Sequence, residues 1–334
     1  MGFRTADGAS YQGHDESGNA RFSVSIPFDE HGYFGRECPG CHQIFRMHGD
    51  DYDALPDDLV LTCPYCGQQD EHSEFMTSQQ RDRVMRVAED AAMQLVSDML
   101  DKSFGKTARS TRNNHFVKIS YRSKPFYPQP LPGISEEQLI RERTCSSCGA
   151  RYAVFGEHRF CPVSGSLDAA EVAEDALAAE RAKLDALTSI PAEQYAVLRE
   201  QGVFDRIAVD TLGRVVGIVE ALASAEFSSR VNDAPALVKG RGNIFQRLDD
   251  LADLFAEHLS IDPRDSAQID WIALQRLWAA RHSHVHADGL VDAKYLRSVP
   301  TTPLNLGQRV VVSEGDARTA IEQATALCGL LTAR

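Results

Sequence analysis

No apolar stretch in this 334-residue chain approaches the roughly eighteen residues needed to cross a bilayer as a helix. That predicts a protein with no membrane partner. The first twenty residues also lack the apolar core of a secretory signal; they are mostly polar and hold four glycines. They predict no export, a cytoplasmic location and a disordered leader over residues 1–22. Positive charge is in short supply, with 35 Lys+Arg against 48 Asp+Glu and a formal charge of −13. A mean field of that sign repels phosphate and excludes indiscriminate binding to nucleic-acid backbones. Cysteine is missing from 162 to 327, since seven of the eight precede residue 162. The last, Cys328, sits in Leu327-Cys328-Gly329-Leu330-Leu331, where packing is the expected role. The rest is ordinary for a globular protein, 43% hydrophobic and 25% charged, and the length suits two or three domains.

The early cysteines come in short-spaced units, which without an export signal predict metal sites rather than disulfides. Cys38-Pro39-Gly40-Cys41 and Cys63-Pro64-Tyr65-Cys66-Gly67 are 21 residues apart. Each CxxC turns its two sulfurs toward one metal, and two such knuckles close a tetrahedral four-thiolate site that suits structural Zn²⁺. This predicts a first zinc ribbon over residues 23–77, supported by Phe45 and a Leu59-Val60-Leu61 strand. His42 and His48 are near enough to be ligands, but four cysteines already satisfy the ion. A second ribbon is expected over 135–166, from Cys145-Ser146-Ser147-Cys148-Gly149 and Phe160-Cys161-Pro162-Val163-Ser164-Gly165. Ser164 stands where a fourth cysteine belongs. Either His158 completes a site of three cysteines and one histidine, or the ribbon is metal-free and held by Tyr152, Val154, Phe155 and Phe160.

Between the ribbons, over residues 78–134, a helix is predicted from the capping-box pattern Thr77-Ser78-Gln79-Gln80. Val84, Ala88, Ala91, Leu95 and Met99 form its apolar stripe and Gly105 its stop. A strand over 115–121 and a proline-rich loop follow. Seven basic residues and no acidic one lie between Lys102 and Lys124, interleaved with Phe104, Phe116, Tyr121, Phe126 and Tyr127. Cations for phosphates and aromatics for base stacking are what single-stranded RNA requires, so Lys118, Arg122, Lys124, Tyr121 and Phe126 are the candidate RNA-binding residues. The competing reading puts the aromatics in small ribbon cores and the cations in solvent.

Residues 167–190 are rich in alanine and acid and contain no glycine; they predict a solvated acidic linker helix ended by Ile190-Pro191. Over 191–334 the pattern is helical. Ile207, Leu212, Val215, Val216, Ile218, Val219 and Leu222 make one wide apolar stripe. Ile244, Leu248, Leu251 and Phe255 make a second, Trp271, Leu274 and Trp278 a third, and Ile321, Ala324, Leu327 and Leu331 a fourth. The fold class expected is therefore α+β and multidomain, with small β-rich zinc ribbons at the N-terminus and an all-α bundle at the C-terminus.

The third helical run ends in Arg281-His282-Ser283-His284-Val285-His286. Imidazole can shuttle the protons of an RNA 2′-hydroxyl or leaving oxygen, and guanidinium can hold the phosphate as its charge builds. Two plainer readings compete. Histidines are favoured at helix C-termini by the macrodipole, and a metal could be bound, although only His282 and His286 share a face.

The R-x4-H spacing from Arg281 to His286 follows Trp271-Ile272-Ala273-Leu274-Gln275-Arg276-Leu277-Trp278 and precedes Gly289-Leu290-Val291-Asp292. In that context it resembles the HEPN superfamily, over residues 200–334 and most specifically between 269 and 296. The resemblance implies a HEPN-like helical bundle and a homodimer whose two motifs share a cleft. It implies a hydrolase, a metal-independent endoribonuclease cutting single-stranded or looped RNA to a 2′,3′-cyclic phosphate. Arg281 would stabilise the phosphorane, His286 would be general acid or base, and His282 would orient or assist. It further implies a bacterial toxin or antiviral, phage-defence effector restrained by an unlinked inhibitor or antitoxin protein. On an unbroken helix Arg281 and His286 stand roughly 140° apart, so the helix is expected to end or kink between them, with Asp288-Gly289 as the stop. The alternative is a catalytically silent module, in which the ribbons bind nucleic acid or protein and the bundle only dimerises.

Overall fold

The computed structural model describes residues 3–56, 58–110, 122, 124–135 and 141–333. The chain divides into two units, residues 1–155 with 160–165 and residues 156–159 with 166–334. Among the described residues no helix is long and apolar enough to cross a membrane.

The first unit opens with an antiparallel hairpin, β1 (Ala9–His14) and β2 (Ala20–Val24). This replaces the disordered leader expected from composition. Phe3, Tyr11 and Phe22 cluster with ring centroids 5.0 to 5.6 Å apart, and the Asp15 carboxylate accepts the Asn19 backbone N–H at 2.8 Å to close the turn. Tyr11 and Phe22, paired across the hairpin, with Phe3 packed on both, outweigh the polar residues around them.

Next come β3 (Tyr33–Glu37), β4 (Ile44–His48), the short helix α1 (Gly49–Asp53), β5 (Leu61–Thr62), β6 (Gln69–Asp70), the helix α2 (Ser78–Ser110), β7 (Glu142–Thr144) and β8 (Arg151–Ala153). The two ribbons, expected as separate modules, share one antiparallel sheet in the order β3-β4-β8-β7, in which Met47 pairs with Tyr152. Thr62 donates its backbone N–H to the Pro162 carbonyl at 2.9 Å, and Phe160 donates to the Pro64 carbonyl at 3.1 Å. Tyr65 joins them again: its hydroxyl donates to the Ile44 carbonyl and accepts the Phe155 N–H, each at 2.8 Å. Small ribbons bury too little apolar surface to be stable alone; Phe45, Met47, Leu61 and Phe75 of the first and Tyr152 and Val154 of the second are all buried. The Arg36 guanidinium lies over the Phe34 and Tyr52 rings, at 4.5 and 4.6 Å, and donates to Gln80.

Helix α2 starts as its sequence predicts, with Thr77 accepting from the Gln80 backbone and Gln80 accepting from the Thr77 backbone. It runs on past Gly105. Its most buried residues are Gln80, Val87, Asp90 and Gln94, while of the predicted stripe Val84 and Ala91 are half-buried and Ala88, Leu95 and Met99 exposed; Asp90 accepts the Gln129 N–H and Gln94 the Arg4 N–H. Met93, Leu95, Val96 and Met99 are exposed. The period was legible but the phase was not, because the covering segments offer backbone donors that select polar partners.

The second unit is helical: α3 (Ala169–Leu187), α4 (Ala192–Glu200), α5 (Val203–Arg230), α6 (Ala234–Val238), α7 (Leu248–Leu259), α8 (Trp271–His286), α9 (Ala293–Ser298) and α10 (Glu314–Leu331). Helix α5 is the central element, packed on α3, α8 and α10 through Leu212, Val215, Val219, Leu222 and Phe227. Helix α3 is not a solvated linker. It buries Ala173, Ala176, Leu177 and Leu184 against the core, because alanines at helical spacing make a narrow apolar face that its many acids conceal. Asp168 caps α3, Asp270 caps α8, Asp292 caps α9, and Ser313 with Asp316 forms a capping box on α10.

Candidate functional site

Four knuckles in the first unit carry the cysteine clusters that could hold a metal ion. In each, the backbone N–H of the residue after the second ligand position donates to the carbonyl of the leading cysteine: His42 to Cys38, Gly67 to Cys63, Gly149 to Cys145 and Gly165 to Cys161, at 2.9 to 3.0 Å. That fifth residue is always left-handed, with φ of 57°, 76°, 76° and 75°. Glycine takes this conformation freely; His42 takes it at a cost.

Cys38, Cys41, Cys63 and Cys66 converge on one point. Cys38 Sγ lies 3.7 Å from Cys66 Sγ, and Cys41 Sγ 3.7 Å from Cys63 Sγ. A tetrahedral ion with metal–sulfur bonds of about 2.3 Å requires sulfur–sulfur edges of about 3.8 Å, so this donor set fits a metal ion. The Gly40 N–H points at Cys38 Sγ at 3.4 Å, a donor that stabilises a thiolate. Burial pushes the Cys63 and Cys41 thiols up, so metal binding there has to displace protons. His42 is three-quarters exposed with Nδ1 3.8 Å from Glu37, and the His48 ring packs edge-on against Tyr33.

Cys145, Cys148 and Cys161 form a second convergent group, with Cys148 Sγ 3.6 Å from Cys161 Sγ. Ser164 occupies the second ligand position of the fourth knuckle, and its Oγ lies 3.6 Å from Cys145 Sγ. Burial opposes ionisation of Cys145, but Ser164 and the backbone N–H groups of Cys148 and Ser147 bring it down to about 7. Burial pushes Cys161 up to about 11. His158 belongs to the helical unit, where its Nδ1 lies 3.2 Å from Asp175 Oδ2 and both side chains are buried.

The arginine–histidine motif forms the last turns of α8, which stays helical through His286. The expected break before His286 is absent. The stop comes after it, where Asp288 and Gly289 are left-handed at φ 51° and 73°. Arg281 and His286 therefore keep their wide angular separation and do not converge within one chain. The helix instead brings His282 and His286 together, with ring centroids 4.5 Å apart and planes inclined at 43°. His286 is exposed and His282 partly so. Burial holds His282 below the ordinary histidine range, with Lys294 and His286 pushing the same way and Asp292 opposing them. Its imidazole is thus neutral at neutral pH and can accept a proton.

Arg281 is tethered: it donates to Gln246 Oε1 at 3.1 Å, and Gln246 donates to Glu220 at 2.9 Å. His284 faces the other way, with Nε2 3.0 Å from the Val310 carbonyl, and the Ser283 hydroxyl donates to the Leu290 carbonyl at 2.5 Å. These two residues hold the segment after α8, bridged at Leu290 and Arg309, against the bundle. Lys294, Gln246 and Glu220 escaped sequence reasoning. The only available signal was Asp292-Ala293-Lys294, an N-cap that returns a lysine toward the end of α8.

Of the candidate RNA-binding residues, Arg122 and Lys124 are exposed and Phe126 is partly buried, its carbonyl accepting from Arg4 at 3.1 Å. Lys118 and Tyr121, with the expected strand over 115–121, lie outside the described residues. No family model, curated protein or solved structure matches this chain.

Proposed function

We propose that the helical unit is a metal-independent endoribonuclease acting on single-stranded or looped RNA, and that the cysteine clusters hold structural zinc. The observation that carries the first part is the His282–His286 pair: two imidazoles on one exposed helix face, 4.5 Å apart, with His282 held neutral. In this mechanism His282 takes the proton of a 2′-hydroxyl. The 2′-oxygen attacks its own phosphorus, and the bond from phosphorus to the 5′-oxygen breaks. His286, as the imidazolium, gives its proton to the departing 5′-oxygen, leaving a 2′,3′-cyclic phosphate and a 5′-hydroxyl. Lys294 and Arg281 supply positive charge for the phosphorane. One copy cannot set Arg281 opposite His286, so a homodimer through residues 200–334, with Arg281 from the second copy, belongs to the proposal. The R-x4-H context shared with the HEPN superfamily supports the same reading, as does a cationic and aromatic segment for holding RNA. An activity of this kind suits a toxin or phage-defence effector kept in check by a separate inhibitor.

Zinc is the assignment for the clusters because thiolate donors at tetrahedral spacing select it, and four thiolates leave no open position at Cys38, Cys41, Cys63 and Cys66.

One observation favours a second reading. The Arg281–Gln246–Glu220 tether gives the arginine a structural job in the bundle, as a catalytically silent domain bearing nucleic-acid- or protein-binding ribbons would require. Incubating purified protein with RNA under brief EDTA exposure separates the two. Cleavage abolished by His282→Ala and by His286→Ala, with fold preserved, supports the nuclease; RNA bound but uncut by wild type supports the silent module.

A further inference from the structure

The Phe160–Gly165 turn has every backbone feature of a zinc knuckle except its second cysteine. Gly165 donates to the Cys161 carbonyl at 3.0 Å and sits at φ 75°, matching Gly67 and Gly149 in the two neighbouring knuckles. The Val163 and Ser164 N–H groups point at Cys161 Sγ at 3.4 and 3.5 Å, as the Gly40 N–H does at Cys38. The turn has the backbone of a cysteine knuckle, with a hydroxyl in place of the second thiol. With metal–sulfur bonds of about 2.3 Å and metal–oxygen bonds of about 2.1 Å, a tetrahedral sulfur–oxygen edge measures about 3.6 Å. Cys145 Sγ and Ser164 Oγ are 3.6 Å apart, and Cys148 and Cys161 set the opposite edge at 3.6 Å.

We infer that Cys145, Cys148, Cys161 and Ser164 form an asymmetric metal site whose hydroxyl corner is exchangeable, taking an external thiolate in place of Ser164. The inference rests on the reading that the clusters hold zinc. A neutral hydroxyl is a weak donor to an ion already bound by three soft thiolates, whereas a free thiolate is a strong one. Ser164 and Cys148 are both exposed, so the corner opens to solvent, while Cys145 and Cys161 are buried and anchor the ion. His158, the other candidate for the corner, faces the Asp175 carboxylate within the helical unit. The exchange is a ligand substitution in which the thiolate's lone pair replaces that of the hydroxyl. The thiol proton passes to solvent, and nothing is oxidised or reduced. The two clusters thus differ in kind: one closed and inert, the other able to register small thiols.

The test uses the full chain loaded with Co²⁺, whose visible absorption reports the donor set, and with Zn²⁺, whose release to a chromogenic chelator is timed. Wild type is expected to bind two ions per chain. One leaves at least about tenfold faster than the other, and the Co²⁺ spectrum shifts when mercaptoethanol is added. Ser164→Cys should abolish the thiol response and bring the two release rates together, while His158→Gln changes neither. Two ions released at equal rates with no thiol response overturn the inference but leave the zinc reading intact. So does one ion per chain, or a fast ion altered by His158→Gln and not by Ser164→Cys. No bound metal at all overturns both.

Discussion

A Cβ placed on Gly289 would lie 2.8 Å from Cε1 and 2.9 Å from Nδ1 of His284. The imidazole cannot easily yield, because its Nε2 is held 3.0 Å from the Val310 carbonyl. Gly289 is also left-handed at φ 73°. His284 of the histidine motif and Gly289 of the helix stop are thus a structural pair, locking the chain back over the end of α8. Gly289→Ala should destabilise the helical unit by about 2–3 kcal/mol, from backbone strain and the steric conflict together. Urea unfolding of the variant beside wild type measures this; an unchanged midpoint would refute the lock.

His42 occupies the position that three other knuckles give to glycine, with φ of 57°. His42→Gly should therefore stabilise the ribbon unit by about 0.5–1 kcal/mol, after the extra chain entropy of glycine is subtracted. A thermal scan of the metal-loaded protein should move upward. A fall would mean that the exposed imidazole contributes something the backbone argument omits.

Tyr65 ties the ribbons through one hydroxyl, donating to Ile44 and accepting from Phe155. Burial pushes its phenol up to about 12, so the donor persists across the physiological range. Tyr65→Phe should cost about 0.5–1.5 kcal/mol by removing one part-buried and one exposed hydrogen bond. Since the ribbons share a sheet, the loss should appear as one cooperative transition. Hydrogen exchange following both ribbons checks it: separate transitions for residues 33–70 and 142–154 would contradict the single unit.

The four knuckles were legible because a CxxC turn is a local chemical device, complete within five residues. Their assembly was not, since the Met47–Tyr152 pairing joins segments about a hundred residues apart that carry no mark of each other. Helix α3 was legible as a helix but misread as a linker: its acids dominate composition, while Ala173, Ala176 and Leu177 decide the packing. Asp288-Gly289 correctly gave the end of α8. It could not say that the last turn through His286 stays regular, and that regularity moves the candidate chemistry from an Arg281–His286 pair to His282–His286.

The proposed cleavage takes its pH dependence from His282. Burial first, and then Lys294 and His286, favour its neutral form, so its pKa lies below the ordinary histidine value of about 6.5. As the base it must be neutral, and activity should rise with pH through that depressed value. Lys294→Ala removes a repelling cation and should move the acid limb upward, though burial retains part of the shift. Asp292→Asn, which removes the opposing carboxylate, should move it downward. Rate profiles on a short single-stranded RNA measure both; limbs that stay in place would remove His282 from the base role.

The most direct measurement is cleavage of single-stranded RNA by the purified full chain under brief EDTA exposure, too short to strip and unfold the ribbons. Wild type, His286→Ala, His282→Ala and a substrate lacking the 2′-hydroxyl at the cut site are compared. The predicted result is a product ending in a 2′,3′-cyclic phosphate, slowed by about 10²–10⁴ in either histidine variant and absent with the deoxy substrate. If His286→Ala cleaves as fast as wild type, or the deoxy substrate is cut, the nuclease account is wrong.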